Sequence, residues 1–406
     1  MLKEHIRKYV FSDLSKFFLA NAFYSFSTWL IGYVSPYVLT SSCYQEFIYV
    51  FQSIMYMTSV FTLGLTPALL RYYKYDKVRF KSYFIVTIGL IYLLLLLLGF
   101  WKFNPLSEFL HVSQYSFKEH VIIYISVIMN LMYVFNRALL TAEENYNKLV
   151  CSIGLIVLTR FVGLILLKFF DINSLTLVLL IVCILPMIYE AYIYWSTWGK
   201  VKRTSWESYS AFIRFALITS LIGVIYTTTG RLFLLEVKSG SDSLAAVVSY
   251  SYSMVGIITI FNTTFSSFFI GKLDSRTPDN VHAYLIKIRK AFPIFLFLTA
   301  LVTSCLFVFV KFTYPYASIV AASYTAVSVL STAIIAYIGL VTLLAKTYNI
   351  LNLQLLINVV CLLIVLFVVK SPINKDFVKF IFVNIIQISC ECFLALLVLK
   401  RVNRQN

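Results

Sequence analysis

The chain has 406 residues, of which 60% are apolar, 17% are aromatic and only 13% are charged. Soluble proteins contain about 45–50% apolar and about 25% charged residues, so this composition excludes a water-soluble fold. In a soluble chain the net charge of +17 would point to a nucleic-acid partner. In a membrane protein it indicates which side of the bilayer holds the basic residues, and we expect no nucleic-acid partner.

Long apolar segments bounded by charged residues predict an all-α integral membrane protein with about 12 transmembrane helices, since each needs about 20 apolar residues. In chain order we place the spans at residues 17–39, 46–70, 83–101, 120–141, 149–170, 174–196, 210–235, 244–271, 291–310, 317–345, 348–369 and 377–399. Only Ala345, Lys346 and Thr347 interrupt the run from 317 to 369. Joining its two parts gives an eleven-helix alternative, with the C-terminus outside.

The positions of Lys and Arg predict the orientation, because positive residues near span ends stay cytoplasmic. With twelve spans, most of the 34 Lys and Arg residues fall on the same side as the N-terminus. The loop that contains Lys370, Lys375 and Lys379 runs against this rule. We therefore expect a multi-pass protein with both termini cytoplasmic.

The spacing of basic residues indicates an internal repeat. The interval Lys16–Lys74 around the first two spans has the same length as Arg214–Lys272 around the seventh and eighth. Halves with an even number of helices enter the membrane from the same side, as in parallel repeats. We expect two six-helix bundles, residues 1–198 and 211–406, joined by a cytoplasmic linker at 199–210.

The sequence carries no pattern of a cofactor, a metal site or an enzyme. No pair among the seven cysteines has metal-site spacing, and the four histidines are scattered through tails and loops. No Gly-rich phosphate loop is present, and the connections between spans are too short for a catalytic domain. We expect no cofactor, no metal and no catalytic residue, so the function must reside among the helices.

Ionisable side chains inside the spans are the candidate functional residues, because each costs about 2.5–3.5 kcal/mol at the bilayer centre. Arg160 is the strongest candidate, since it lies too deep in the fifth span to reach either interface. We predict that it contacts substrate. The alternative is a structural pair with Glu190 on the next span, and Glu190 is accordingly a candidate for ion coupling or helix pairing.

Three further ionisable residues lie in spans. Arg231 and Arg137 are candidate substrate contacts; an interfacial anchor is the alternative for Arg231 and the favoured one for Arg137. Glu391 shares a helix face with Asn384 and Gln387. This polar stripe either lines a cavity or bonds neighbouring helices, so Glu391 is a second candidate for ion coupling or helix pairing.

The balance of charge favours an anionic cargo. A guanidinium binds phosphate or carboxylate oxygens in pairs, and arginines at several depths outnumber the buried carboxylates. The 29 tyrosines could stack on sugar rings. Interfacial belts and helix packing account for most of them, so no single tyrosine is assigned to sugar binding.

Three segments carry a resemblance to a known family. They are Thr62–Tyr75 (TLGLTPALLRYYKY), Arg137–Leu149 (RALLTAEENYNKL) and Phe212–Val237 (FIRFALITSLIGVIYTTTGRLFLLEV). In sequence and spacing they resemble Wzx-type polysaccharide and O-antigen flippases, which are polysaccharide transporters of the multidrug, oligosaccharidyl-lipid and polysaccharide exporter superfamily. Family members often carry an Asp before the arginine of the third segment, where this chain has Gly230. The resemblance therefore implies a role for Arg231 alone.

The resemblance implies two six-helix bundles around a central cavity, in the bacterial inner (plasma) membrane. It implies that alternating access carries a polyprenyl-diphosphate-linked oligosaccharide, a repeat unit of O-antigen, capsule or another surface polysaccharide, to the outer leaflet. Arginines would hold the diphosphate, and an ion gradient or the membrane potential would drive the cycle. Membrane lipids are expected partners, and a polysaccharide polymerase and a chain-length regulator are candidate ones.

Two alternative functions stay open. A drug or metabolite antiporter of the same superfamily would favour a more acidic cavity. A polysaccharide polymerase or membrane glycosyltransferase would favour a long outer loop rich in Arg and His, which the sequence lacks.

Overall fold

The computed structural model describes residues 13–62, 64–198, 208–256, 258, 278–316, 318–342, 344, 350–373 and 375–405. Regular structure in these ranges is helical throughout, as the sequence predicts. The chain divides into two compact units, Met1–Thr227 and Thr228–Asn406. The expected bundles at 1–198 and 211–406 with their linker stay a prediction, because residues 199–207 lie outside the described ranges.

The first unit is built from helices that alternate with short turns. They are α1 (Asp13–Val38), α2 (Ser41–Phe61), α3 (Leu65–Tyr72), α4 (Lys77–Phe100), α5 (Pro105–Phe109), α6 (Phe117–Ala142), α7 (Tyr146–Phe169), α8 (Leu175–Leu179), α9 (Ile188–Trp198) and the first part of α10 (Tyr209–Gly240). A π-helical turn (Leu180–Ile184) and a 3-10 turn (Leu185–Met187) join α8 to α9. Pro186 lies in the 3-10 turn, where its missing N–H prevents a regular α-helix.

Polar side chains determine where several of these helices begin. The Asp76 carboxylate accepts a hydrogen bond from the backbone N–H of Arg79 at the start of α4. Ser116 and Glu119 form a reciprocal capping box at the start of α6. Each cap gives a partner to a backbone donor that the first helical turn leaves unpaired.

Helix α6 lies at the centre of the first unit and packs against α2, α4, α7 and α9. A close approach occurs at Gly64, whose φ of 61° places it in the left-handed region at the start of α3. A Cβ atom at Gly64 would overlap the carbonyl oxygen of Ala216 and lie 2.7 Å from the backbone nitrogen of Ser220 on α10. Glycine is therefore required there both for its conformation and for the packing of α10.

The second unit continues α10 and adds α11 (Asp242–Met254), α12 (Pro278–Thr313), α13 (Ser318–Thr342), α14 (Leu351–Lys370) and α15 (Asp376–Gln405). Helix α13 is its central helix and packs against α11, α12 and α15, while α14 packs against α15. In each unit, one helix thus packs against several of the others.

Nine helices in the described ranges are long and apolar enough to cross a membrane, and α2 with α3 would add a tenth span with a bend of 41°. The span predicted at 46–70 corresponds to this bent pair, whose two helices meet near Gly64. Two separate helices, α13 and α14, lie on either side of the predicted break at 345–347, and the break itself lies outside the described residues. The predicted span 244–271 begins in α11 and continues mostly outside the described residues.

Candidate functional site

Arg160 lies in the middle of α7 with 0% of its surface exposed. Its Nη1 donates a hydrogen bond of 2.8 Å to the hydroxyl of Ser27 on α1. Its guanidinium carbon lies 5.3 Å from the centre of the Tyr24 ring, also on α1. Its Nε and Nη2 are buried and have no hydrogen-bond partner in the described part of the chain. Arg160 therefore combines a buried charge with two unsatisfied donors, which is energetically costly.

Glu190 on α9 is 1% exposed and bonds to two neighbouring helices. The side-chain nitrogen of Asn136 on α6 donates to the Glu190 carboxylate over 2.7 Å and to its backbone carbonyl over 2.8 Å. The hydroxyl of Ser152 on α7 donates to the other carboxylate oxygen. No ion pair joins Glu190 to Arg160, since both side chains lie in the described ranges and their contacts are those given above. Glu190 thus ties α9 to α6 and α7 through neutral donors.

Two stacked tyrosines lie beside the Arg160 guanidinium. The rings of Tyr24 and Tyr133 are 4.1 Å apart and inclined by 17°. The Tyr133 hydroxyl is buried and bonds to no other described atom. Ser152 and Arg160 share one face of α7, two turns and about 12 Å apart along the axis. We call these seven residues the unit 1 polar site: Tyr24, Ser27, Tyr133, Asn136, Ser152, Arg160 and Glu190.

Arg137 is partly buried on α6, next to the unit 1 polar site. It lies close enough to Tyr133 to act electrostatically on the phenol, as do Arg160 and Glu190. The structure therefore gathers three of the five predicted residues around one buried tyrosine, although they lie on three different helices.

Arg231 lies in the second unit on α10 and is partly buried. Its guanidinium carbon is 4.5 Å from the centre of the Tyr252 ring on α11. The Tyr252 hydroxyl donates to the Gly230 carbonyl over 2.9 Å. This tyrosine therefore both bonds the α10 backbone and provides a π surface for the arginine.

The polar stripe of α15 faces neighbouring helices. The Ser331 hydroxyl on α13 donates to the Asn384 side-chain oxygen over 2.6 Å. Glu391 is 8% exposed, and its carboxylate lies beside the hydroxyl of Thr342, also on α13. No cation pairs with Glu391 among the residues that the structure places. Asn384 therefore bonds to a neighbouring helix, which is one of the two roles predicted for the polar stripe.

The sequence did not reveal a buried network around His120. His120 Nε2 lies 2.8 Å from the Ser107 hydroxyl, and His120 Nδ1 lies 2.9 Å from the Gly99 carbonyl. The Ser107 hydroxyl also lies 2.9 Å from the Tyr124 hydroxyl and accepts a bond of 2.9 Å from Asn104. All four polar side chains are buried. The Ser–His pair is therefore enclosed and fully bonded, and it holds the α4–α6 connection in place. The only signal in the sequence was Asn104, a helix cap three residues before Ser107.

In the described ranges no three His, Cys, Asp or Glu residues are arranged to hold a metal ion. All seven cysteines are free thiols.

Sequence comparisons assign no family to the chain. No family model matches it, and no curated protein matches it in sequence.

Comparison with solved structures shows the fold. The chain is similar to the eukaryotic MATE transporter AtDTX14, with a TM-score of 0.70, 14% identity and 97% of each chain covered. It is similar to an inward-facing multidrug resistance MATE transporter of the MOP superfamily, with a TM-score of 0.61, 13% identity and 96% and 95% covered. For a MOP superfamily transporter from Pyrococcus furiosus the TM-score is 0.60, with 14% identity and 96% and 95% covered.

The chain therefore has the fold of the MATE transporters of the MOP superfamily, with two helical bundles. It is a multi-pass helical membrane protein. The sequence resemblance predicted a transporter of this superfamily, and the fold supports that prediction. None of the three structures given above is a Wzx-type flippase.

Proposed function

We propose that this protein is a flippase that moves a polyprenyl-diphosphate-linked oligosaccharide across the bacterial inner membrane by alternating access. The observation that carries the proposal is Arg160, a wholly buried guanidinium with two unused donors, in a chain with a transporter fold. Substrate of this kind presents a diphosphate within the bilayer, where a buried arginine can meet it.

The two unused donors of Arg160 have the geometry that a phosphate requires. Nε–H and Nη2–H lie on the same edge of the planar guanidinium and point in parallel, so together they bind two oxygens of one anionic group. Nη1, on the other side, is already held by Ser27. The Ser27 bond and the Tyr24 ring therefore orient the arginine and leave the bidentate edge for a ligand.

The other predicted residues receive secondary roles in this proposal. Arg137, partly buried in the first unit, serves as a further contact for the diphosphate, and Arg231, partly buried in the second unit, is a separate candidate substrate contact. Glu190 and Glu391 are buried carboxylates whose donors among the described residues are neutral, so uptake of a proton or another cation would change their charge without breaking an ion pair among those residues. Such a change would couple the cycle to a gradient, which provides about 2.3 kcal/mol per charge per 100 mV.

A drug or metabolite antiporter fits the fold about as well. The similar solved structures include multidrug resistance transporters, and the two buried carboxylates would suit a cationic cargo. The Pyrococcus furiosus transporter is described as having a binding pocket of reverse polarity that suggests a different function. Polarity around the ligand is therefore the property that must separate the two candidates. The polymerase or glycosyltransferase alternative has no supporting observation in the described residues.

The test compares anionic and cationic ligands on purified protein in nanodiscs. We expect a polyprenyl diphosphate carrying an oligosaccharide to raise the unfolding temperature of the wild type, and a lipophilic cation to have no effect. Arg160→Ala should weaken binding of the lipid by about 10- to 100-fold, since hydrogen bonds to charged groups contribute about 1.5–3 kcal/mol. Arg401→Ala, at an exposed position of α15, is the control and should bind normally.

The opposite pattern would support the antiporter. Binding of the cation that depends on Glu190 or Glu391, with no stabilisation by the lipid diphosphate, would contradict the flippase proposal.

A further inference from the structure

Tyr133 carries a hydroxyl group that the packing of the first unit does not use. The residue is 1% exposed, and its hydroxyl has no hydrogen-bond partner in the described part of the chain. Its ring belongs to a buried apolar cluster with Ile153 and Ile156 of α7 and stacks on Tyr24 of α1. Phenylalanine would provide the same ring without burying an unpaired polar group, which costs free energy. Packing therefore accounts for the ring and not for the hydroxyl.

Tyr133 and Arg160 both lie against the ring of Tyr24. The guanidinium carbon of Arg160 is 5.3 Å from the centre of that ring, and the centre of the Tyr133 ring is 4.1 Å from it. The Tyr133 ring therefore lies no farther from the guanidinium carbon than the sum of these two distances. Along α7, Arg160 follows Ile156 by one helical turn on the same face. An anion with two separate acceptor groups can therefore meet both residues.

The charges around the Tyr133 hydroxyl are mainly positive. Among the described residues, the charged groups that act on this phenol are Arg137, Arg160 and Glu190. Both carboxylate oxygens of Glu190 already accept hydrogen bonds from other side chains. A tyrosine hydroxyl can donate a hydrogen bond to an anionic oxygen. Two arginines against one carboxylate thus favour an anionic partner for the hydroxyl.

We propose that Arg160 and Tyr133 bind the two phosphoryl groups of one diphosphate and so select a lipid diphosphate over a lipid monophosphate; this inference rests on the proposed function. The parallel Nε–H and Nη2–H donors of Arg160 bind two oxygens of the first phosphoryl group. The Tyr133 hydroxyl donates to an oxygen of the second phosphoryl group, beyond the bridging oxygen. A monophosphate engages the arginine and leaves the hydroxyl unpaired.

Selection of this kind follows from the cost of an unpaired polar group. A site that hydrogen-bonds one group of its ligand rejects an analogue without that group, because the buried partner is then left unsatisfied. Most membrane phospholipids carry a single phosphoryl group. A site that requires two phosphoryl groups therefore discriminates against the lipids that surround the protein.

The experiment measures binding of polyprenyl diphosphate and polyprenyl monophosphate, both without sugar, to purified protein in nanodiscs. Tyr133→Phe keeps the stacked ring and should weaken binding of the diphosphate by about 10-fold or more, since it removes a hydrogen bond to a charged group. Its affinity for the monophosphate should be unchanged, so the preference of the wild type for the diphosphate is lost. Arg160→Ala should weaken binding of both lipids.

Inorganic diphosphate is a third probe, which separates a lipid headgroup from a soluble anion of the same chemistry. It should bind to the wild type more weakly than the lipid diphosphate, because it lacks the apolar chain that buries surface in the bilayer. Inorganic diphosphate that binds as tightly as the lipid would assign these two residues to a soluble anion and overturn the proposal.

A matched variant controls for the loss of a phenol hydroxyl. Tyr192→Phe removes the same group from a position of α9 that is 67% exposed, and it should bind both lipids as the wild type does. Without ligand, Tyr133→Phe should be at least as stable as the wild type, because it removes an unpaired buried hydroxyl. Thermal unfolding of the free proteins checks that weaker binding does not come from loss of the fold.

The outcomes distinguish this inference from the proposed function. If the wild type binds the two lipids equally, or if Tyr133→Phe keeps the preference for the diphosphate or weakens both lipids alike, the role of Tyr133 is refuted while the flippase proposal stands. If the wild type binds neither lipid, the proposed function fails and this inference fails with it.

Discussion

Arg160 in the first unit and Arg231 in the second both lie beside a tyrosine ring, yet their surroundings differ. Arg160 is fully enclosed, and one edge of its guanidinium has no partner in the described ranges. Arg231 is only partly buried, and its tyrosine is itself bonded to the backbone of α10. A cation–π contact near the end of a span is sufficient to hold an arginine there. At Arg160 the cation–π contact leaves two donors unused in the described ranges, and under the proposed function these donors bind the diphosphate.

Each unit also contains one buried carboxylate, Glu190 in the first and Glu391 in the second. Removing the first of these should give the largest loss of stability. Glu190→Ala would leave the Asn136 amide and the Ser152 hydroxyl without their acceptor, so we expect a loss of about 3 kcal/mol in the free energy of unfolding. Glu391→Ala in the second unit should cost about 1 kcal/mol, because the described residues place one donor, the Thr342 hydroxyl, beside it. Unfolding in denaturant, followed by circular dichroism, measures both.

Glu190→Gln keeps a side-chain oxygen as acceptor and should therefore recover most of the stability that Glu190→Ala loses. A larger loss of stability for Glu391→Ala than for Glu190→Ala would contradict the expected difference between the two units.

Replacing each arginine by lysine tests whether transport needs the parallel donors of the guanidinium or only its positive charge. Lysine is a point charge without parallel donors, so Arg160→Lys should lower lipid transport into proteoliposomes by about 10- to 100-fold. Arg231→Lys should retain transport within about threefold, because an ammonium also binds over the Tyr252 ring. Equal losses at both positions would mean that the guanidinium edge of Arg160 has no special role.

Two glycines test packing in the two units. Gly64→Ala should cost about 2 kcal/mol or more, because alanine is strained at a φ of 61° and its Cβ would overlap the α10 backbone. At Gly230 an added Cβ would meet only the end of the Gln387 side chain, at 3.2 Å. Gly230→Ala should therefore change stability by less than about 0.5 kcal/mol. Thermal unfolding of the two variants decides the matter, and a Gly64→Ala protein as stable as the wild type would contradict the close packing.

The smallest effect is expected at the tyrosines beside the arginines. Tyr252→Phe keeps the ring under Arg231 but removes the bond to the Gly230 carbonyl, so we expect a cost of about 1 kcal/mol. Tyr133→Phe removes a hydroxyl that has no partner in the described ranges and should be neutral or slightly stabilising. Both are measured by thermal unfolding, and a Tyr133→Phe variant less stable than Tyr252→Phe would reveal a ligand or water on the Tyr133 hydroxyl.

The candidate site was only partly predictable. The depth of Arg160 follows from its distance to the ends of an apolar run, and the break before Leu351 follows from one lysine between two such runs. The bend at Gly64 was missed because the surrounding segment is apolar and differs little from a continuous span. His120 was placed in a loop because polar residues that bond one another inside a protein look the same in sequence as residues exposed to water.

Hydropathy and charge along the chain by themselves determined that this is a helical membrane protein, where most of its spans lie and which arginine lies farthest from the ends of an apolar run. Those properties are local, since a bilayer requires each spanning segment to satisfy its own backbone. Only the tertiary structure decided that Arg160 bonds to Ser27, that Glu190 bonds to Asn136 and Ser152, and that a tyrosine of α6 stacks on a tyrosine of α1. Lipid tails are as apolar as leucine, so hydropathy does not specify which helices meet; side-chain packing and hydrogen bonds between helices do.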